Sequence, residues 1–268
     1  MHFPYYLHFG NTRIHPHLFF ELLAYGCGAI AYLVLRRRFG DSLSTPLRWV
    51  VFVAAVVGGA IGSKLLFWLE DPQFTVQNIH NPAYLMGGKT IVGALAFGLL
   101  AVELMKRHVG ILSSTGDLYA IPLALGIAIG RVGCFLTGLA DNTYGTPTTL
   151  PWGLDFGDGV RRHPTQLYEA AFLLLLIPLL YTVVRFLAAR TTEKRESVFR
   201  TGDAFRLFMI AYLSFRLLCD FIKPYLRVLS GLGAIQWVCL LVLLYYSSDI
   251  ERWARTGRSQ YLLHWRRT

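Results

Sequence analysis

Charge is what this chain lacks. Only 16% of its 268 residues are Asp, Glu, Lys or Arg, against 54% hydrophobic. A soluble domain of this length carries about 25% charged residues, so the composition excludes an ordinary soluble enzyme. Cysteine is also scarce. Cys27, Cys134, Cys219 and Cys239 each fall in an apolar run and show no metal-ligand or redox spacing, so they read as small apolar packers, with no metal or other cofactor expected. A nucleotide loop, a low-complexity segment and the period-two alternation of barrel strands are missing too. The opening stretch, MHFPYYLHFGNTRIHP, lacks the compact cationic start of a signal peptide, and the first apolar segment is expected to be retained.

What is present is a series of apolar runs approaching the roughly 20 residues that cross a bilayer. They cover residues 18–35, 49–69, 90–105, 118–136, 166–184, 204–222 and 231–246. Without barrel alternation, helices are the only spanning option. The expected fold class is an all-α membrane protein with about seven transmembrane helices, forming a single integral-membrane domain over residues 1–268. The third and seventh runs are short for a full crossing and imply little tilt or a locally thinned bilayer.

The net charge of +10 does not indicate nucleic acid, because the cations sort by loop. One set of loops holds 17 of the 26 Lys and Arg: Arg36–Arg38, Arg48, Lys106, Arg107, those from Arg185 to Arg206, and those from Arg252 onward. The alternate set holds six: Arg13, Lys89, Arg161, Arg162, Lys223 and Arg227. The bias puts the first set in the cytoplasm, with the N-terminus outside and the C-terminus inside. The basic tail after Asp249 is expected to rest on anionic membrane lipids.

Three cations remain inside spans, namely Lys64, Arg131 and Arg216. A charge there usually faces the bundle interior and marks function. The helices carrying Arg131 and Arg216 both run outward and leave only about 8 Å beyond each arginine, at 1.5 Å per residue. Lys64, Lys89, Glu21 and Glu169 fall in the same outer half. Tyr212, Arg216, Asp220 and Lys223 follow a spacing that stacks them on one helix face, and Gln166 and Glu169 are neighbours at i, i+3. Two arginines at one depth suit a bidentate clamp on the phosphate of an outer-leaflet phospholipid. The same residues also read as structure: buried ion pairs, Glu169 with Arg216 among them, a His163-Pro164 cap on the fifth helix, and snorkelling of Lys64 and Lys89. Glu103 is expected to pair with Lys106 and Arg107. Glycine is dense in MGGKTIVGALAFG and GRVGCFLTG. There it serves close helix packing, as at Gly58–Gly62 and Gly126–Gly130, or a broken helix end offering N–H groups to an anion.

Four stretches together, GRVGCFLTG with the later YG (130–145), RRHPTQLYEA (161–170), FMIAYLSFRLLCDFIKP (208–224) and GAIGSKLLF (59–67), resemble the prolipoprotein diacylglyceryl transferase family, in its order and over nearly the whole chain. The resemblance implies an enzyme of the bacterial inner membrane, multi-pass, working at its outer face. Such an enzyme moves diacylglyceryl from phosphatidylglycerol to the lipobox cysteine of a prolipoprotein and releases glycerol 1-phosphate. Its implied partners are phosphatidylglycerol and the prolipoprotein signal peptide. Arg131 matches the signature arginine and Arg216 the arginine of the FR motif, both associated with the lipid phosphate. Gly145 matches the closing glycine of a signature that also contains Gly133 and Gly138. With Lys89, Gln166 and Tyr212, these residues make the expected substrate site.

The departures fall on the thiol-activating side. The family's essential histidine aligns with Val92, its signature asparagine with Cys134, the acidic residue after the second glycine with Leu139, and the tyrosine of the first span with Phe20. Candidates for the missing base at the right depth are Glu21, His163, Glu169 and Asp220. The expected catalytic set is His163, Glu169, Arg216 and Asp220. Two other readings stay open: a related phospholipid-dependent transferase with a different acceptor, and a phospholipid binder or transporter without catalysis.

Overall fold

The computed structural model describes residues 3–189, 199–227 and 229–265, with side chains described as far as Thr256. Of the cations assigned above to the cytoplasm, Arg190, Lys194, Arg195, Arg266 and Arg267 lie outside the described residues, as does the side chain of Arg258. So do Met1 and His2 of the opening stretch.

Among the described residues, ten helices follow one another: α1 Pro16–Phe39, α2 Thr45–Glu70, α3 Pro72–Gln77, α4 Pro82–Met86, α5 Ile91–His108, α6 Asp117–Thr137, α7 Thr165–Ala189, α8 Asp203–Cys219, α9 Ala234–Tyr245 and α10 Ser247–Trp265. Each of the seven apolar runs contains one. Their ends follow local chemistry. Proline opens α1 and α2 at the position where its missing N–H costs nothing, and Arg36, Arg37 and Arg38 sit in the last turn of α1 against the negative end of its dipole. The sixth run ends as α8 at Cys219, with Asp220–Ile222 tightening into a 3-10 turn. The unanticipated α3 and α4 are single short turns, capped by the Asp71 and Asn81 side chains with Pro next in line. Two small antiparallel hairpins, β1 Leu7–Phe9 with β2 Thr12–Ile14 and β3 Leu154–Asp155 with β4 Arg161–Arg162, are the described strands.

Among the described residues, four helical segments are long and apolar enough to cross a membrane: Pro16–Phe39, Thr45–Glu70, Asp117–Asp141 and Thr165–Ala189. Their outward faces carry large apolar side chains in the open, among them Leu22, Ile30, Val53, Val56, Leu174 and Leu175. In water such a surface would be an aggregation hazard, whereas in lipid it is the expected exterior.

The helices sort into two compact units. The first contains α1, α6, α7 and α8 with both hairpins, and the second contains α2 to α5, α9 and the start of α10. In the first, α6 is the hub, packed on α1, α7 and α8. In the second, α2 lies along α5, and the Gly58–Gly62 pair is what permits it: a Cβ on Gly58 would stand 2.7 Å from the carbonyl oxygen of Phe97. On α6, a Cβ on Gly126 would stand 3.5 Å from the Ala24 carbonyl oxygen of α1, an ordinary contact, and one on Gly130 would meet none of the described residues within 4 Å, so close packing requires neither glycine.

Candidate active site

The site begins with how α6 and α8 are held level. Asp117, the first residue of α6, accepts the backbone N–H groups of Gly202, Ala204 and Phe205 at 2.6, 3.0 and 3.3 Å. One carboxylate thus satisfies the orphan amides at the start of α8 and sits at the positive end of its dipole. With both helices starting from the same point, Arg131 stands about 21 Å along α6 from Asp117, and Arg216 about 18 Å along α8 from Ala204. The two guanidiniums arrive at one level. They meet Glu169, in the second turn of α7.

Glu169 is fully buried and occupied on both oxygens. Arg131 Nε lies 2.9 Å from Oε1, and the Tyr212 hydroxyl donates to the same oxygen at 2.6 Å. Arg216 Nη1 donates to Oε2 at 2.8 Å, with Lys223 Nζ 3.9 Å from it. Arg216 Nη2 also pairs with Asp220 Oδ1 at 2.9 Å, and Lys223 lies 3.8 Å from that oxygen. Tyr212, Arg216, Asp220 and Lys223 are all buried, but only Tyr212 and Arg216 share a face of α8, since Asp220 begins the 3-10 turn and Lys223 follows it in extended backbone. Among the described residues, three cations, Arg131, Arg216 and Lys223, thus meet two carboxylates, Glu169 and Asp220, in a buried site.

Gln166 lies one turn before Glu169 on α7. It is 1% exposed, and neither its Oε1 nor its Nε2 has a hydrogen-bond partner among the described residues. A buried amide left open on both ends costs about 1–3 kcal/mol, which a ligand or water at that point would recover.

The remaining sequence-derived residues have more mechanical surroundings. His163 Nδ1 shares a hydrogen bond with the Tyr168 hydroxyl at 3.2 Å, and its backbone takes both bonds that join the strand ends around it, to Gly145 and Thr146. Gly145 is necessary there, since a Cβ would stand 2.5 Å from His163 Cβ. Gly133 and Gly138 are likewise filled on their Cβ side, by Phe20 and Phe3. Thr146 N–H donates to Ile222 O at 2.8 Å, so the excursion between α6 and α7 is tied to the turn after α8. At the tip of that excursion Arg162 pairs with Asp158 at 2.6 Å, and the guanidinium holds the Asp158 carboxyl below its ordinary range.

In the second unit, Lys64 reaches backbone carbonyls. Its ammonium donates to three successive backbone carbonyls, those of Met86 at 2.5 Å, Gly87, and Gly88 at 2.7 Å, and so ties α2 to the glycine turn before α5. The amides of that turn are partly used: Thr90 N–H donates to Ser63 and Gly93 N–H to Thr90 Oγ1. Lys89 is exposed, Val92 is buried on α5, and Glu103 pairs with Lys106 at 2.9 Å.

One cluster escaped the sequence reading. His17 Nδ1 lies 3.2 Å from Asp141 Oδ1, and His17 Nε2 is 3.7 Å from Glu21 Oε2. Glu21 Oε1 accepts the Tyr25 hydroxyl at 2.7 Å. Cys134 completes the group: its sulfur lies within 4.8 Å of the side-chain donor atoms of His17 and Asp141, and Arg131 Nη1 donates to it at 3.8 Å. The available signal was the i, i+4 spacing of His17 and Glu21 at the start of the first apolar run.

Comparison with known proteins points one way. The family model described as prolipoprotein diacylglyceryl transferase matches residues 4–247. Proteins named phosphatidylglycerol–prolipoprotein diacylglyceryl transferase are similar along much of their length. The one from Bordetella parapertussis is 29% identical over 90% of this chain and 91% of its own. That from Clostridium tetani is 30% identical over 72% and 75%, and that from Nitratidesulfovibrio vulgaris 32% identical over 75% and 71%.

Proposed function

The chain belongs to the prolipoprotein diacylglyceryl transferase family, and from that premise we infer that it transfers the diacylglyceryl group of phosphatidylglycerol to the cysteine thiol of a prolipoprotein. The buried group of Arg131, Arg216 and Glu169 carries this reading into residues. Arg131 and Arg216 hold the lipid phosphate and take up the charge that grows on it as the ester bond breaks. Glu169, engaged by both guanidiniums, aims them. Tyr212, Asp220 and Lys223 keep that arrangement in place, and the open amide of Gln166 contacts the polar headgroup. His163 and Gly145 shape the mouth above it, with Gly133 and Gly138 seating α6 against its neighbours. Lys89 adds a cation at the outer membrane surface.

Seven spans make one integral-membrane domain in the bacterial inner membrane, with the N-terminus outside, the C-terminus in the cytoplasm and the site in the outer half. The sorting of cations between alternate loops supports this orientation. A single cysteine placed at Thr201, before α8, is expected to resist an impermeant maleimide in intact cells and to react once the membrane is opened. Labelling from outside would invert the topology and remove the site from the outer face.

The activity is tested with purified protein, phosphatidylglycerol labelled in its terminal glycerol, and a lipobox peptide. Water-soluble glycerol phosphate and lipidated peptide are expected in equal amounts. Glycerol phosphate without lipidated peptide would mean another acceptor. Tight lipid binding without release of either product would mean a binder rather than a transferase.

A further inference from the structure

Displacing a phosphate ester with a thiol needs a proton acceptor close to the phosphate clamp. The carboxylates of the clamp are already committed, Glu169 to Arg131, Arg216 and Tyr212, and Asp220 to Arg216. His17 and Asp141 belong to different elements, the first turn of α1 and the 3-10 turn Gly138–Asp141 that follows α6. Their side chains meet at 3.2 Å, and the Thr143 hydroxyl donates to the other Asp141 oxygen at 2.5 Å. Side-chain exposure is 9% at Asp141 and 33% at His17, so a buried carboxylate backs a ring that is one-third exposed, with Glu21 Oε2 3.7 Å from its Nε2. Cys134 links this pair to the clamp, since its sulfur lies beside both of them and accepts from Arg131.

We propose that His17, oriented by Asp141, is the general base that deprotonates the incoming cysteine thiol. The proposal rests on the transferase reading above. Asp141 accepts from Nδ1–H, which fixes the tautomer and leaves the Nε2 lone pair free to take a proton. The thiol proton moves to Nε2, and the sulfur forms its bond to the terminal carbon of the diacylglyceryl group. The bond from that carbon to the phosphate oxygen breaks, and its electron pair leaves with glycerol phosphate. Arg131 and Arg216 receive the second negative charge of that product. The imidazolium, between Asp141 and Glu21, then returns its proton to solvent. A base supplied from the first helix fills the role that Val92 has no group to perform.

The test uses His17→Asn, in which the side-chain amide keeps an N–H toward Asp141 and has no lone pair in place of Nε2. Transfer to a cysteine lipobox peptide is expected to fall on the order of 100-fold or more, with folded yield and phosphatidylglycerol binding retained. A peptide with selenocysteine, whose selenol is ionised at neutral pH, is expected to restore most of the lost rate in the variant and to gain little with the wild type. A merely structural histidine would show no such rescue. Wild-type transfer by His17→Asn, or a loss that selenocysteine leaves untouched, would overturn the assignment. Stoichiometric zinc in purified wild type that is lost in the variant would do the same. A wild type that never releases glycerol phosphate sinks the transferase reading itself, whereas an active wild type with an unimpaired variant sinks this base alone.

Discussion

Arg131→Lys is expected to lose phosphatidylglycerol binding almost as completely as Arg131→Ala. The guanidinium of Arg131 serves several partners in different directions, with Nε on Glu169 and Nη1 on the Cys134 sulfur. A planar fork can hold the carboxylate on one edge and a phosphate on another. An ammonium is a single point charge on a flexible stem, and in this setting it collapses onto Glu169. Losing a charge-assisted contact costs about 1.5–3 kcal/mol, or roughly 10- to 150-fold in affinity. The measurement is lipid affinity in nanodiscs of neutral lipid doped with phosphatidylglycerol, for wild type and both variants, each checked for folded yield. A lysine variant that binds normally beside an unstable alanine variant would make Arg131 a structural residue. Full affinity in a well-folded Arg131→Ala protein would remove the phosphate from the account.

Glu169→Ala should cost more in stability than any other change at the site. The carboxylate is the shared counter-ion of Arg131 and Arg216, with Lys223 nearby, and all of these side chains are buried. Removing one partner from a buried ion pair leaves an uncompensated charge and costs about 3–5 kcal/mol. Glu169→Gln keeps an acceptor for the Tyr212 hydroxyl and loses only the charge, so it should fall between wild type and alanine. Thermal unfolding in detergent reads the order. A ligand that supplies negative charge should also help the variant more than the wild type, so phosphatidylglycerol is expected to raise the unfolding temperature of Glu169→Gln by the larger amount. Had Glu169 been the thiol base, the glutamine variant would fold with wild-type stability and lose only rate. That result would make Glu169 the base and leave His17 a structural residue.

The sequence was informative where a physical demand is met along a single stretch of chain. The long apolar runs announced their helices because a bilayer demands about 20 apolar residues for each crossing, and α1, α2, α6 and α7 meet that demand. The short α3 and α4 were not legible: single turns closed by the Asp71 and Asn81 side chains carry no periodicity. The sixth run read as one helix to residue 222, because composition does not register the change from α-helix to 3-10 turn at Asp220. Lys64 could be placed near the outer end of its helix, but the carbonyls that receive it come from residues more than twenty positions later.

By itself, the sequence determined the class of the protein, the run of its long helices, and the matched level of Arg131 and Arg216, because hydropathy and helical rise are local quantities that add along the chain. It also placed Gln166 with Glu169, and Tyr212 with Arg216, on common helix faces, since the helical repeat alone does that. Only the tertiary structure decided that both arginines close on one carboxylate, because this depends on how α6, α7 and α8 are rotated toward one another. It alone brought Asp141 to His17, whose side chains meet at 3.2 Å although the chain between them passes through both units. Contacts of that kind come from packing between distant segments, and no window along a sequence contains them.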